Sequence, residues 1–217
     1  MNQTNRTLPA ALLLALTTTL ALATPGVARA QAKGAPAAVS ADGLSPQDRE
    51  MLSLALDFSK KCSDTLEGWI ASKEVSEERL FASLYFPVPK TDPVKFTTDW
   101  DKYSDRDVQA VEEAVMAKAG AIVFAVMVDK HGYLPTHNVR YSLPLTGNLA
   151  ADLVGNRTKR IFNDKTGIAA ARSQAPFLIQ RYQRDTGETM VDLSVPVFVK
   201  GNHWGAVRIG YRLIESR

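Results

Sequence analysis

The sequence lacks most features from which a catalytic function is usually recognised. Its only cysteine is Cys62, so no intramolecular disulfide can form and no C-x-x-C-H motif for covalent haem attachment is present. The three histidines, His131, His137 and His203, have no spacing typical of metal ligands. Motifs of hydrolases, phosphate-binding loops and dinucleotide-binding turns are also absent. We therefore predict no enzyme, no bound cofactor and no metal site.

A strong excess of charge of one sign is also lacking. The formal net charge of the 217 residues is +3, and Arg6 and Arg29 are the only charged residues among the first thirty. Without those thirty residues the net charge falls to +1. A chain this close to neutral has no electrostatic basis for binding nucleic acid or an anionic membrane surface. We expect neither as a partner.

Long hydrophobic runs are missing except near the N-terminus. The run at residues 9–23 is shorter than the roughly 20 apolar residues that span a bilayer, and a short polar stretch with Arg6 precedes it. Ala28 and Ala30 provide the small residues of a signal peptidase site. This predicts a signal peptide over residues 1–30, cleaved after Ala30, and a periplasmic or secreted protein. An uncleaved anchor is the alternative.

Two further segments follow the predicted cleavage site. Residues 31–44 are rich in alanine and poor in large apolar residues, which predicts a flexible linker. Residues 45–217 are enough for one core of ordinary size, so we predict a single domain there. Its first helix begins after the N-cap Ser45, runs to about Ser72 and carries an apolar stripe that includes Cys62.

The pattern then changes from helical to extended. Shorter helices are predicted over residues 76–84 and 104–118, and a buried strand over residues 121–128. Residues 133–137 are a candidate return strand, and three hairpin-linked strands follow over residues 177–184, 188–199 and 204–213. Helices followed by hairpin-linked strands indicate an α+β fold with an antiparallel sheet.

A cationic segment lies between the predicted strands. The stretch from His137 to Arg172 contains six cations against two acids: Arg140, Arg157, Lys159, Arg160, Lys165 and Arg172 against Asp152 and Asp164. Arginine presents a planar pair of donors suited to a carboxylate or phosphate. We therefore expect Arg157, Arg160 and Arg172 to face a cavity that binds a small anion. A solvated charged surface is the alternative.

Several segments together resemble one family of sensor domains. They are residues 85–89 (YFPVP), 129–138 (DKHGYLPTHN), 155–164 (GNRTKRIFND), 192–196 (DLSVP), 203–205 (HWG) and 209–212 (IGYR). In this order they resemble the extracytoplasmic PAS-like or Cache-like sensor region of bacterial methyl-accepting chemotaxis proteins. The resemblance covers about residues 45–212. It implies a five-stranded antiparallel sheet, a long N-terminal helix along it, and a small-molecule pocket between the sheet and the middle segment.

From the resemblance and the cationic segment we predict an exported sensor module that binds a small anionic metabolite, for example a carboxylate. The candidate ligand-binding residues are Tyr133, His137, Asn138, Arg140, Tyr141, Arg157, Arg160, Arg172, Tyr182 and Asp192. Two alternatives stay open. One is a redox or gas sensor with non-covalent haem, suggested by haem-bearing members of the family. The other is a secreted enzyme of unrecognised type.

The resemblance also bears on partners. Chemoreceptors of this kind continue into a second membrane span and a cytoplasmic signalling region, and neither follows in this sequence. We therefore expect a stand-alone module that passes its state to a membrane-bound receptor or only sequesters its ligand. The apolar stripe of the first helix is needed to cover the sheet, so we expect a monomer or a weak homodimer.

Overall fold

The computed structural model describes residues 43–183 and 189–214. The predicted signal peptide and most of the predicted linker lie outside these residues. The last residue of the predicted linker, Leu44, is described and is buried. None of the helices within the described residues is both long enough and apolar enough to span a membrane.

The described residues form an α+β fold in which the long first helix is followed by short helices and then mainly by strands. In chain order the elements are α1 (Pro46–Ala71), α2 (Glu77–Phe81), β1 (Phe86–Val88), β2 (Lys95–Thr97), α3 (Asp101–Asp107), α4 (Gln109–Met116), β3 (Ile122–Asp129), β4 (Tyr133–Leu134), α5 (Leu149–Gly155), β5 (Arg160–Ile161), α6 (Lys165–Arg172), β6 (Leu178–Gln183), β7 (Thr189–Val199) and β8 (Asn202–Arg212).

The first helix follows its sequence prediction closely. The Ser45 side chain accepts a hydrogen bond from the Asp48 backbone N–H, and Pro46 occupies the first helical position. The Asp48 carboxylate also accepts hydrogen bonds from Tyr211 on β8 (2.5 Å) and Arg181 on β6 (2.6 Å). These bonds attach the N-terminal turn of α1 to two strands of the sheet. Cys62 is buried on the face of α1 that packs on the core, as predicted.

The third predicted helix differs from the observed helices. It was expected over residues 104–118, but the chain forms α3 and α4, which meet at Val108. The Thr98 hydroxyl donates to Asp101 (2.8 Å), and the helical turn begins there, three residues earlier than predicted. Glu112 on α4 is fully buried against β3.

The main sheet has four antiparallel strands in the order β3-β8-β7-β6. The candidate return strand does not pair with β3: β4 pairs with β5 in a separate two-stranded sheet. Two side chains occupy the outer edge of β3. Asn138 Oδ1 accepts from the Ala125 N–H (2.8 Å), and Glu112 Oε1 accepts from the Met127 N–H (3.1 Å). Because these donors are satisfied, they are not available to a further strand, and none pairs at this edge within the described residues.

The two faces of the sheet are covered by different parts of the chain. One face packs on α1 and α4 and carries the alternating core residues of β7 and β8: Val191, Leu193, Val195, Val197, Val199, Val207, Ile209 and Tyr211. The other face carries a smaller apolar cluster under α6 and β4, formed by Val126, Val128, Leu134, Ala171 and Ala206 with Phe124 and Phe162. The residues between β3 and β6 fold back over this second face.

Candidate functional site

A cavity of about 450 Å³ lies between the second face of the sheet and the segment that folds over it. Strands β3, β6, β7 and β8 form its floor, and residues 134–166 form its other wall. Most of the lining is apolar or aromatic: Val123, Phe124, Val126, Val128, Leu134, Tyr141, Val154, Phe162, Tyr182 and Met190. The polar or ionisable lining residues are His137, Arg157, Asp164, Thr166 and Arg208. An apolar cavity with a few convergent polar groups is the usual form of a small-molecule site.

The floor of the cavity contains a buried ion pair. Arg208 on β8 donates from Nε (3.1 Å) and Nη2 to Asp192 Oδ2 on β7, and Asp192 is fully buried. Burial lowers the pKa of Arg208, but the Asp192 carboxylate more than offsets this, so the pKa lies above its ordinary value. The guanidinium is therefore a fixed, fully charged group at the cavity floor.

His137 presents a neutral ring to the cavity. Its Nδ1 accepts a hydrogen bond from the Asn138 backbone N–H (2.7 Å). Burial, together with the charges of Arg157 and Arg208, lowers the pKa of His137 to about 3. At neutral pH the ring therefore carries its proton on Nε2, which can only donate a hydrogen bond.

Positive charge is concentrated in the wall opposite the sheet. The guanidinium carbons of Arg157 and Arg160 each lie 4.9 Å from the centre of the Phe162 ring. Burial lowers the pKa of Arg160, and the charge of Arg157 lowers it further. The arginine charges thus add to the effect of burial on the pKa of both His137 and Arg160, and this part of the shifts indicates a positive potential around the cavity.

The wall that carries Arg157 is anchored by a buried lysine. Lys95 on β2 donates from Nζ to Asn156 Oδ1 (2.6 Å) and to the Thr158 carbonyl (2.7 Å), on either side of Arg157. Burial, together with the charges of Arg160 and Lys159, lowers the pKa of Lys95 to about 8. These bonds fix the backbone from which the Arg157 side chain extends.

Two glycines allow aromatic residues to line the cavity. A Cβ at Gly210 would lie 2.1 Å from the Phe124 ring, so the ring can lie across β8 only over a glycine. Gly132 has a φ of +82°, and a Cβ there would lie 2.4 Å from the Phe162 carbonyl oxygen. The Gly132 carbonyl accepts from the Phe162 N–H (2.8 Å) and holds that residue at the wall.

Four of the ten predicted site residues line the cavity, and a fifth lies beneath it. His137, Tyr141, Arg157 and Tyr182 are lining residues. Asp192 is buried below the cavity and holds Arg208. The structure thus brings together half of the predicted residues, and their contact with a ligand stays a prediction.

The other five predicted residues lie outside the lining. Tyr133 faces away from it, because Leu134 takes the cavity side of β4; its hydroxyl donates to Asp101 (2.8 Å). Asn138 is bound to the edge of β3.

Arg140 is exposed, with its guanidinium carbon 5.1 Å from the Tyr141 ring centre. Arg160 donates to the Leu153 carbonyl (3.3 Å), and the exposed Arg172 is 3.4 Å from the Lys130 carbonyl.

Sequence reasoning missed Arg208 as a site residue. The signal was present, since Arg208 alternates with the apolar residues of β8 and so lies on the opposite face of the sheet. Asp192, which contacts Arg208 on the same face, was predicted as a site residue, but Arg208 was not. Phe124 and Phe162 were missed as well, because apolar residues in or near strands are usually assigned to the core.

A second concavity of about 560 Å³ lies at the other end of the sheet and is more open to solvent. It is lined by Glu77, Glu78, Phe81, Lys130, Asn202 and His203. Lys200 forms an ion pair with Glu77 (3.2 Å) beside it. Within the described residues, no three His, Cys, Asp or Glu side chains are grouped as metal ligands, here or in the cavity.

No family model and no curated protein sequence matches the chain. Solved structures that are similar to it include an extracellular ligand binding receptor from Desulfohalobium retbaense DSM5692, at 15% identity and a TM-score of 0.33. Another is the ligand-binding domain of the Pseudomonas aeruginosa PAO1 amino acid chemoreceptor PctC in complex with GABA, at 13% identity and a TM-score of 0.25.

Both matches cover most of this chain, but their TM-scores are low. The matches cover 78% and 77% of this chain, and 26% and 65% of the length of the two solved chains, in the same order. Both named structures are ligand-binding receptor domains. Neither TM-score reaches 0.5, so the function has to be inferred from the cavity itself.

Proposed function

We propose that the chain is an exported sensor module that binds a small anionic metabolite in the cavity over β3, β7 and β8. One observation carries the proposal: the Arg208 guanidinium, held by Asp192, and the Arg157 guanidinium both line one largely apolar cavity. Charged groups in such a setting bind an opposite charge more strongly than the same groups do in water. His137 contributes a donor and no acceptor, which also favours an anion.

A thermal-shift screen of the protein against carboxylates, amino acids and purines tests this function. An anion at a hundredfold excess over its Kd should raise the free energy of unfolding by about 2.7 kcal/mol, because it binds only the folded state. Phosphate buffer should be avoided, since phosphate would compete for the same guanidinium groups. Stabilisation by neutral purines alone, with no anion effective, would contradict the proposal.

Export is part of the same proposal. It is supported by the apolar run at residues 9–23 and the small residues Ala28 and Ala30. N-terminal mass spectrometry of the periplasmic fraction should show a chain that begins at Gln31. A protein that is retained in the membrane with Met1 intact would contradict it. A membrane-bound receptor is the partner that we propose for a module of this kind.

The alternative of a non-covalent haem sensor is disfavoured by the geometry of His137. An axial imidazole ligand needs a lone pair on the coordinating nitrogen, and Nδ1 is already an acceptor of the Asn138 N–H. Nε2 of the neutral ring carries the proton. The one histidine among the cavity-lining residues is therefore poorly prepared to bind iron. A visible spectrum of protein incubated with haem tests this alternative, and a Soret shift that is lost in His137→Ala would revive it.

A further inference from the structure

The cavity has positive groups and hydrogen-bond donors but little means of binding a second, cationic group of a ligand. Asp192, the carboxylate under the floor, is fully buried and accepts from both Nε and Nη2 of Arg208. A ligand ammonium would have to displace Arg208 to reach it. That exchange would leave a guanidinium buried without a counter-charge, which is strongly unfavourable.

The other acid is already used as a helix cap. Asp164 lies at the exposed margin of the cavity, and its Oδ1 accepts from the Thr166 and Gly167 N–H groups (both 3.0 Å) at the start of α6. The positive end of this helix and the nearby Arg208 act on its charge. An ammonium bound there would stay in contact with water and gain little.

The hydrogen-bond donors of Arg208 and His137 also favour an anionic group of a ligand over a cationic one. Arg208 Nη1 donates no hydrogen bond within the described residues, so it is available to a ligand oxygen. His137 offers an N–H and no acceptor. Around these donors the walls are apolar, with Val126, Val128 and Met190 on the floor. The site thus provides donors for an anion and an apolar surface for the rest of the molecule.

We infer that the cavity selects a carboxylate with an apolar body and rejects the same molecule when it carries an ammonium group. This inference rests on the proposed function, since it specifies the ligand of the same site. It sets the chain apart from a receptor for free amino acids, such as the one named among its structural neighbours.

Matched ligand pairs test this selectivity by isothermal titration calorimetry. The probes are 3-phenylpropanoate against phenylalanine, and butanoate against 4-aminobutanoate. We expect each carboxylate to bind at least tenfold more tightly than its amino analogue. In the series acetate, butanoate and hexanoate, affinity should rise about fourfold per methylene, because each one buries apolar surface in the cavity.

The Asp164→Asn variant asks whether Asp164 binds an ammonium group, because asparagine keeps the side-chain oxygen that caps α6 but removes the negative charge. If Asp164 does not bind an ammonium, this variant should keep the preference for the carboxylate in both pairs. Amino analogues that bind as tightly as the carboxylates, and lose affinity in Asp164→Asn, would overturn the inference but leave the proposed function intact. If none of the carboxylates binds, the inference fails; the proposed function fails with it only if phosphate and dicarboxylates also leave the melting temperature unchanged.

Discussion

Asp192 on β7 and Arg208 on β8 form a buried ion pair on the face of the sheet opposite α1. The Asp192 carboxylate is fully buried, and 12% of the Arg208 side chain is exposed, on the cavity side. The pair thus connects the interior of the sheet to the cavity. It gives the cavity a positive group whose position is set by the pairing of two central strands.

Breaking this pair should be costly. Asp192→Asn leaves the Arg208 charge buried without a counter-charge, and we expect the free energy of unfolding to fall by about 3–5 kcal/mol. The double variant Asp192→Asn/Arg208→Met should recover part of that loss, because both charges are gone. Urea denaturation checks both values. Asp64→Asn, which breaks the exposed Lys60–Asp64 pair, is the control and should have no measurable effect. A double variant no more stable than Asp192→Asn would contradict this assignment.

The edge of β3 depends on a buried acid that accepts a hydrogen bond. Burial raises the pKa of Glu112 well above its ordinary value, which favours the neutral carboxyl group. Glu112→Gln keeps an acceptor for the Met127 N–H and should unfold at a denaturant concentration close to that of the parent. Glu112→Met has a similar length but no acceptor and should lose about 1–3 kcal/mol of stability. Equal losses in the two variants would show that the hydrogen bond is unimportant.

The Phe124 ring requires a glycine at position 210. Gly210→Ala places a methyl group where the ring lies, and we expect a loss of about 1–3 kcal/mol in stability together with weaker ligand binding. Gly68→Ala is the matched control, since a Cβ there has open space near the C-terminal end of α1 and should stabilise the protein slightly. Thermal unfolding of the two variants provides the comparison. A neutral Gly210→Ala variant would mean that the ring can move aside.

His137 should make the protein sensitive to acid. Its pKa is about 3 in the folded protein and about 6.5 when unperturbed, so below pH 6.5 the unfolded chain takes up a proton that the folded chain does not. The contribution of His137 to the free energy of unfolding therefore falls as the pH drops from 6.5 to 3, by up to about 1.4 kcal/mol per pH unit. Urea denaturation of the parent and of His137→Gln at several pH values measures this contribution of His137 to the free energy of unfolding. An imidazole NMR signal of His137 that titrates near pH 6.5 in the folded protein would contradict it.

Local patterns predicted much of the fold. The Ser45 cap and the apolar stripe predicted α1, and alternation predicted β7 and β8 to within about two residues. The blocked edge of β3 could not be predicted in this way, since it depends on Glu112 and Asn138, which lie 15 and 13 residues, respectively, from their partners along the chain. Hydrogen bonds between groups this far apart in the sequence produce no local periodic pattern from which they could be predicted.

The candidate site was harder to predict than the fold, for a related reason. The bias toward positive charge between His137 and Arg172 indicated an anion site, but it did not show which arginines turn inward. Arg157 lines the cavity, and Lys95 holds the residues on either side of it through the Asn156 side chain and the Thr158 carbonyl. Arg172 lies outside, because it is the last residue of α6 and extends toward the Lys130 carbonyl. Both positions follow from how the residues between β3 and β6 fold over the sheet.

The most direct test of the account compares two arginines that the sequence did not distinguish. Binding of 3-phenylpropanoate should be measured by isothermal titration calorimetry for the parent, Arg157→Gln and Arg172→Gln. Arg157→Gln should weaken binding tenfold or more, about 1.4 kcal/mol, with an unchanged circular dichroism spectrum, and Arg172→Gln should bind like the parent. Equal affinity in all three proteins, or an equal loss in both variants, would contradict the assignment of this cavity as the anion site.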